Sequence, residues 1–176
     1  MSAVAVFTGQ GGVKGSVLFQ ETVAGCSVRA SFSELPAGDH GFHIHKAGDL
    51  RGEGCKGACE HYHVGAPQSH GGPPGSGFRH TGSRNTGSRH TGDLGNITGP
   101  SWEKTYVLRS VSIADLYGRS VIVHADPDDL GKGSFEDSKT TGHSGSRIAC
   151  AIIGRISECV PKVQIQEKKK TRKNRT

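Results

Sequence analysis

Residues 26–33 read Cys-Ser-Val-Arg-Ala-Ser-Phe-Ser, with Val28, Ala30 and Phe32 at one parity and Arg29, Ser31 and Ser33 at the other. A period of two puts the first set on one face of a strand and the second on the opposite face, a pattern no helix can bury. Two β-rich runs precede it, 3–8 and 15–22, and Gly9, Gly11, Gly12, Gly25, Pro36 and Gly38 mark the turns. Segments 40–45, 94–98, 104–109, 119–124 and 148–153 are the remaining strand candidates, and no helix of ordinary length is visible. Two long irregular stretches, 46–92 and 125–147, interrupt them. Loops of that length inside one domain usually carry function. Eight short strands and two such loops predict an all-β antiparallel sandwich or barrel. The 27 glycines and the 32% apolar content suit many turns better than a helical bundle, and 176 residues leave room for one real core.

Several functional classes drop out. No run of about 18 apolar residues is present, so no membrane span is expected. The N-terminus has no basic start, and its apolar run is too short for a secretory signal, which makes a cytoplasmic or virion-like intracellular location the expectation. Asn96-Ile97-Thr98 is then a glycosylation sequon by chance. From Glu167 onward there are six basic residues and one acid, so the tail holds nearly all of the net charge of +6. Residues 1–160 are expected to form the domain and 161–176 a basic, disordered tail. The tail is either a solvated appendage or an address for the nucleus or nucleic acid. The body lacks the interleaved aromatic and basic residues of a single-strand binder. The five cysteines, at 26, 55, 59, 150 and 159, contain no Cys-x-x-Cys pair, so a zinc ribbon is not expected.

The ten histidines demand more explanation. His43 and His45 are two apart on a strand, so both rings leave the same face and can reach one metal. His124 ends another strand. His61, His70, His90 and Asp93 fall in the long loop, spaced by nine, twenty and three. Three imidazoles and one carboxylate make a closed tetrahedral zinc set, and imidazoles on stiff strands suit copper. A metal cross-link is also one way to order a loop of this size.

In order and type, these residues resemble the copper/zinc superoxide dismutases. The resemblance rests on Gly41-Phe42-His43-Ile44-His45, Gly48-Asp49, Cys55, His61-Tyr62, His70-Gly71-Gly72-Pro73, His90-Thr91-Gly92-Asp93-Leu94-Gly95-Asn96 and Val123-His124. It continues through Asp128-Asp129-Leu130-Gly131-Lys132-Gly133 and Gly145-Ser146-Arg147-Ile148-Ala149-Cys150, and spans about residues 3–157. It implies an eight-stranded Greek-key sandwich or barrel, immunoglobulin-like, that converts superoxide to oxygen and hydrogen peroxide by Cu(II)/Cu(I) cycling. His43, His45, His61 and His124 then match the copper ligands. His61, His70, His90 and Asp93 match the zinc ligands, with His61 bridging the metals and handling the proton. Asp128 matches a carboxylate linking a ligand of each metal, Arg147 the cation that attracts the substrate anion, and Cys55 with Cys150 the intrasubunit disulfide. The implied partners are superoxide, a second copy of the chain and a copper chaperone. The alternative is a dismutase-like copper carrier or structural domain without turnover.

The chain departs from the family in places. His63 is an extra imidazole, read as a surface residue. Lys139 stands one position from the usual guiding lysine, leaving attraction of the anion to Arg147. Ala47 and Arg155 occupy positions of apolar dimer contacts, so a weaker or rearranged dimer is expected. Residues 79–93 repeat a pentad three times, Arg-His-Thr-Gly-Ser, Arg-Asn-Thr-Gly-Ser and Arg-His-Thr-Gly-Asp. His90 has Asp93 three residues on, whereas His80 has Ser83, so His90 is the expected ligand and His80 is spare. Cys26 reads as a buried strand residue, Cys59 as a competitor of Cys55, and Cys159 as free.

Overall fold

The computed structural model describes residues 1–65, 69–76, 89–109 and 111–157. His80, Cys159 and the basic tail lie outside these. Among the described residues nine strands follow one another: β1 (Ser2–Thr8), β2 (Lys14–Thr22), β3 (Gly25–Glu34), β4 (Asp39–His45), β5 (Asp93–Thr98), β6 (Trp102–Leu108), β7 (Ser120–His124), β8 (Arg147–Ile152) and β9 (Gly154–Arg155). The helices α1 (Ile113–Leu116) and α2 (Ser138–Thr141) are single turns.

Val28, Ala30 and Phe32 are buried on β3 while Arg29 and Ser31 are exposed, as the alternation predicts. Ala3, Ala5 and Phe7 of β1, and Val17 and Phe19 of β2, join them on the same face. Each fully buried large side chain of this kind contributes about 1.5–3 kcal/mol. The strands form a five-stranded sheet in the order β6-β3-β2-β1-β9 and a four-stranded sheet in the order β5-β4-β7-β8, every pair antiparallel. Pairing of β3 with β6 and of β4 with β7 is the Greek-key crossing, and the two sheets face one another as a sandwich, not a closed barrel. The ninth strand is two residues long: after β8 the chain turns at buried Ile153 and pairs with β1 in the other sheet.

Strand β4 positions the functional residues. Phe42 and Ile44 enter the core between the sheets, yet His43 and His45 on the opposite face are buried as well. The long loop after β4 covers that face. Its turn at Glu53–Ala58 packs Cys55 and Ala58 against Ile122 of β7, a second small apolar cluster outside the main core. A disulfide joins Cys55 to Cys150 of β8 and closes a stretch 95 residues apart in sequence.

Candidate metal centre

Two groups of potential ligands share one residue. His43, His45, His61 and His124 form one and His61, His70, His90 and Asp93 the other; within each, the donor atoms lie within 4.8 Å of one another. All seven side chains are buried. The strands bring the first group together, since β4 carries His43 and His45 beside β7, which carries His124. Register shifts occur at Gly41/His43 and at Val123/His124, where an irregular ladder can re-aim a side chain. His61 reaches both groups because its backbone bridges to His45.

Every ring but that of His90 is tied to the protein through one nitrogen. His43 Nε2 donates to Asp128 Oδ2 at 2.9 Å, His45 Nδ1 to the Cys59 carbonyl at 2.9 Å, and His124 Nδ1 to the Gly145 carbonyl at 3.2 Å. His70 Nε2 donates to Asp128 Oδ1 at 2.7 Å. The opposite nitrogens, His43 Nδ1, His45 Nε2, His61 Nε2, His70 Nδ1, His90 Nδ1 and His124 Nε2, are buried with no hydrogen-bond partner. In the second group His61 Nδ1, His70 Nδ1 and His90 Nδ1 stand 2.9, 3.1 and 3.3 Å from the same atom, Asp93 Oδ1. Unpaired nitrogens cost free energy in a dry site, and convergent ones are what a metal ion needs. The first donor set is all imidazole, as copper accepts; the second is three imidazoles and a carboxylate, a zinc set. The residues fit both ions.

The electrostatics separate the groups. Burial pushes His43 and His45 well below the ordinary imidazole range, and pushes His124 down to about 4, so these rings stay neutral and able to ligate. Burial also works against protonation of His70, but its hydrogen bond to Asp128 and the Asp93 carboxylate beside it overcome this and raise it to about 9. Burial would raise Asp93, yet His61, His70 and His90 hold it well below the usual carboxylate range. The second group is therefore organised by a buried anion.

Surrounding residues hold these in place. Asp128 bridges His43 and His70, one from each group. Gly142, at φ +69°, passes so close to Asp128 and His70 that a side chain there would collide with both. Arg147 sits opposite His124 across the β7–β8 ladder, half-buried, its Nη1 donating to the Cys55 carbonyl at 2.7 Å and its Nη2 to the Cys59 carbonyl. Cys59 O thus supports both His45 and Arg147. Lys139 Nζ is turned back onto the Gly131 carbonyl. His63 is partly buried, and its Nδ1 is inaccessible and unpartnered.

Three residues with supporting contacts were not singled out from the sequence. Asn96, noted there as part of a sequon and as the end of the His90–Asn96 motif, clamps the Asp128 backbone in both directions, Nδ2 donating to its carbonyl at 2.9 Å and Oδ1 accepting from its amide at 2.6 Å. Arg89 donates to the carbonyls of Gly72 and Asp93 and so joins two arms of the loop. The ring of buried His40 holds the His124 carbonyl at 2.9 Å. A signal for Arg89 was available, because it directly precedes the candidate ligand His90 in the pentad that ends in an acid. Nothing local marks the other two.

A sequence model of copper/zinc superoxide dismutase matches residues 13–153. An extracellular superoxide dismutase [Cu-Zn] of Caenorhabditis elegans is 42% identical over 150 residues, which is 82% of this chain and 62% of that protein, so the chain spans less than two thirds of its relative. The crystal structure of the clock protein EA4 superposes with a TM-score of 0.70 at 31% identity, covering 88% of this chain and 94% of the other. The cytoplasmic expectation is overturned here, because the relative is extracellular and a formed disulfide suits an oxidising compartment. The apolar run near the N-terminus forms β1, which buries Ala3, Ala5 and Phe7, and carries no information on export.

Proposed function

Because the chain belongs to the copper/zinc superoxide dismutase family, we propose that it converts superoxide to oxygen and hydrogen peroxide, with His43, His45, His61 and His124 holding copper and His61, His70, His90 and Asp93 holding zinc. Copper, when bound, supplies one-electron redox chemistry, and zinc supplies charge without redox. The observation that carries this reading is the set of six buried ring nitrogens without partners, converging on two points that share His61.

The chain's own residues do the rest. His61 is oriented by Asp93 through Nδ1, which leaves Nε2 as the atom where a proton is held for the peroxide product. Asp128 fixes the ring planes of His43 and His70 together, so the two sites keep one geometry. The Arg147 guanidinium, anchored by two carbonyls, presents positive charge beside the His124 side of the site and draws in the anion. Lys139, spent on Gly131, leaves that task to Arg147.

Residues 1–160 act as the catalytic domain and 161–176 as a solvated appendage. The protein works outside the cell, as its nematode relative does. The dimer is weak or rearranged, since Arg155 is exposed and rests over the Tyr117 ring at 5.1 Å where an apolar contact is expected. Copper arrives through a helper protein.

Superoxide consumption measured beside a metal count tests the central reading. One copper and one zinc per chain with fast turnover is expected; full loading without turnover would reduce the protein to a copper-binding domain of the same fold. Sedimentation showing one tight dimer at nanomolar concentration would overturn the weak-dimer reading.

A further inference from the structure

Seven imidazole nitrogens are buried without a hydrogen-bond partner among the described residues, and six belong to the two ligand groups. The seventh is His63 Nδ1, which belongs to neither. An unpaired buried nitrogen costs free energy, so its position calls for a compensating role.

The backbone holds His63 next to His90. Gly92 N donates to the Tyr62 carbonyl at 2.8 Å and Val64 N donates to Thr91 Oγ1 at 3.0 Å, so residues 62–64 run alongside 91–92. The two rings lie 5.7 Å apart and are inclined by 32°. His90 is the most exposed member of its group, at 9%, against 3% for His61 and His70 and none for Asp93. The group meets solvent at His90, and His63 stands at that opening.

We propose that His63 is a transit ligand: together with His90 it captures a zinc-type divalent cation at the mouth of the His61–His70–His90–Asp93 group and passes it inward. The proposal rests on the assignment of that group to zinc. Two imidazoles cannot close a tetrahedral set, and among the described residues His63 belongs to no group of three close donors. An ion there is held loosely, which suits a waypoint and not a store. Once beside His90 it is at high effective concentration for the three inner ligands, because His90 belongs to both positions.

Cobalt(II) uptake by the metal-stripped full-length chain separates capture from storage, since the intense tetrahedral band reports only the closed inner group. The expected result is that His63→Ala reaches the wild-type band amplitude but does so about fivefold or more slowly at micromolar cobalt, the loss of local capture. A rate within twofold of wild type overturns the proposal. So does a smaller final amplitude at an unchanged rate, which would make His63 a resident ligand. Circular dichroism checks folding of the variant. A second variant stands independently: His63→Cys, which keeps a zinc-binding side chain, should restore the fast uptake, and uptake as slow as that of His63→Ala overturns the proposal. Absence of any tetrahedral band in wild type would sink the zinc assignment itself and the transit role with it.

Discussion

His43, His45 and His124 stand on β4 and β7, adjacent strands of one sheet, whereas His70 and His90 stand on connecting chain and only Asp93 belongs to a strand end. Backbone ladder bonds place the first group, and its rings are neutral because burial makes them so. Two buried carboxylates, Asp93 and Asp128, together with the guanidinium of Arg89, place the second. A strand-borne site inherits the rigidity of the sheet, while a loop-borne site must be assembled by charge. The same chain therefore sets one site largely through its strands and the other through buried charge.

The largest test of this contrast is the disulfide. Replacing Cys55 or Cys150 by Ser releases a crosslink spanning 95 residues, and loop-closure entropy of that scale is about 4–5 kcal/mol, read as a lower urea midpoint. Copper stoichiometry should survive, because β4 and β7 do not depend on the bridge; its loss would show that the covering loop, through Cys59 O and His45, holds the strand group too. Next, Asp93→Ala removes the shared anion and leaves three imidazoles around an empty centre, costing about 3–4 kcal/mol. Zinc per chain should fall to near zero while copper stays near one, and equal loss of both metals would break the distinction. Asp128→Asn keeps the volume but weakens one ligand of each group. A tenfold to hundredfold drop in affinity for both metals is expected, and a drop for zinc alone would mean that His43 needs no outside support.

The smallest effect lies in pH. In the metal-stripped chain, burial pushes His124 down to about 4 from an ordinary 6.5, so the unfolded chain takes up that proton first. Its contribution to stability is full above about 6.5 and is lost as pH falls toward 4. His70 behaves oppositely: raised to about 9, it stabilises below 6.5 and loses that contribution as pH rises through 9. Urea midpoints across this range should fall at both ends, with His124→Ala flattening the acid limb and His70→Ala the alkaline limb. A single variant flattening both would show that the groups titrate as one.

Much of this was legible before any fold was known. The period of two in residues 26–33 and the glycine punctuation place all eight long strands to within a few residues, because a half-buried strand must alternate. His43 and His45 announce a shared face by parity, and His90 with Asp93 stands out from the earlier pentads because only that unit ends in an acid. His63 is partly buried, and a single imidazole carries no local mark of that in the sequence. Location was misjudged, because a strand and a leader can share an apolar run.

Periodicity, turn residues and the spacing of residue types are local properties, and by themselves they determined the all-β class and singled out His90 over His80 as the candidate ligand. Which residues meet across the fold is a property of the tertiary structure alone. That Asn96 grips the Asp128 backbone, that Cys59 O serves both His45 and Arg147, and that His63 comes to rest beside His90 each depend on loops folding over a sheet face. Those loops have no periodicity to read, and their course is set by distant hydrogen bonds that exist only once the sandwich has formed.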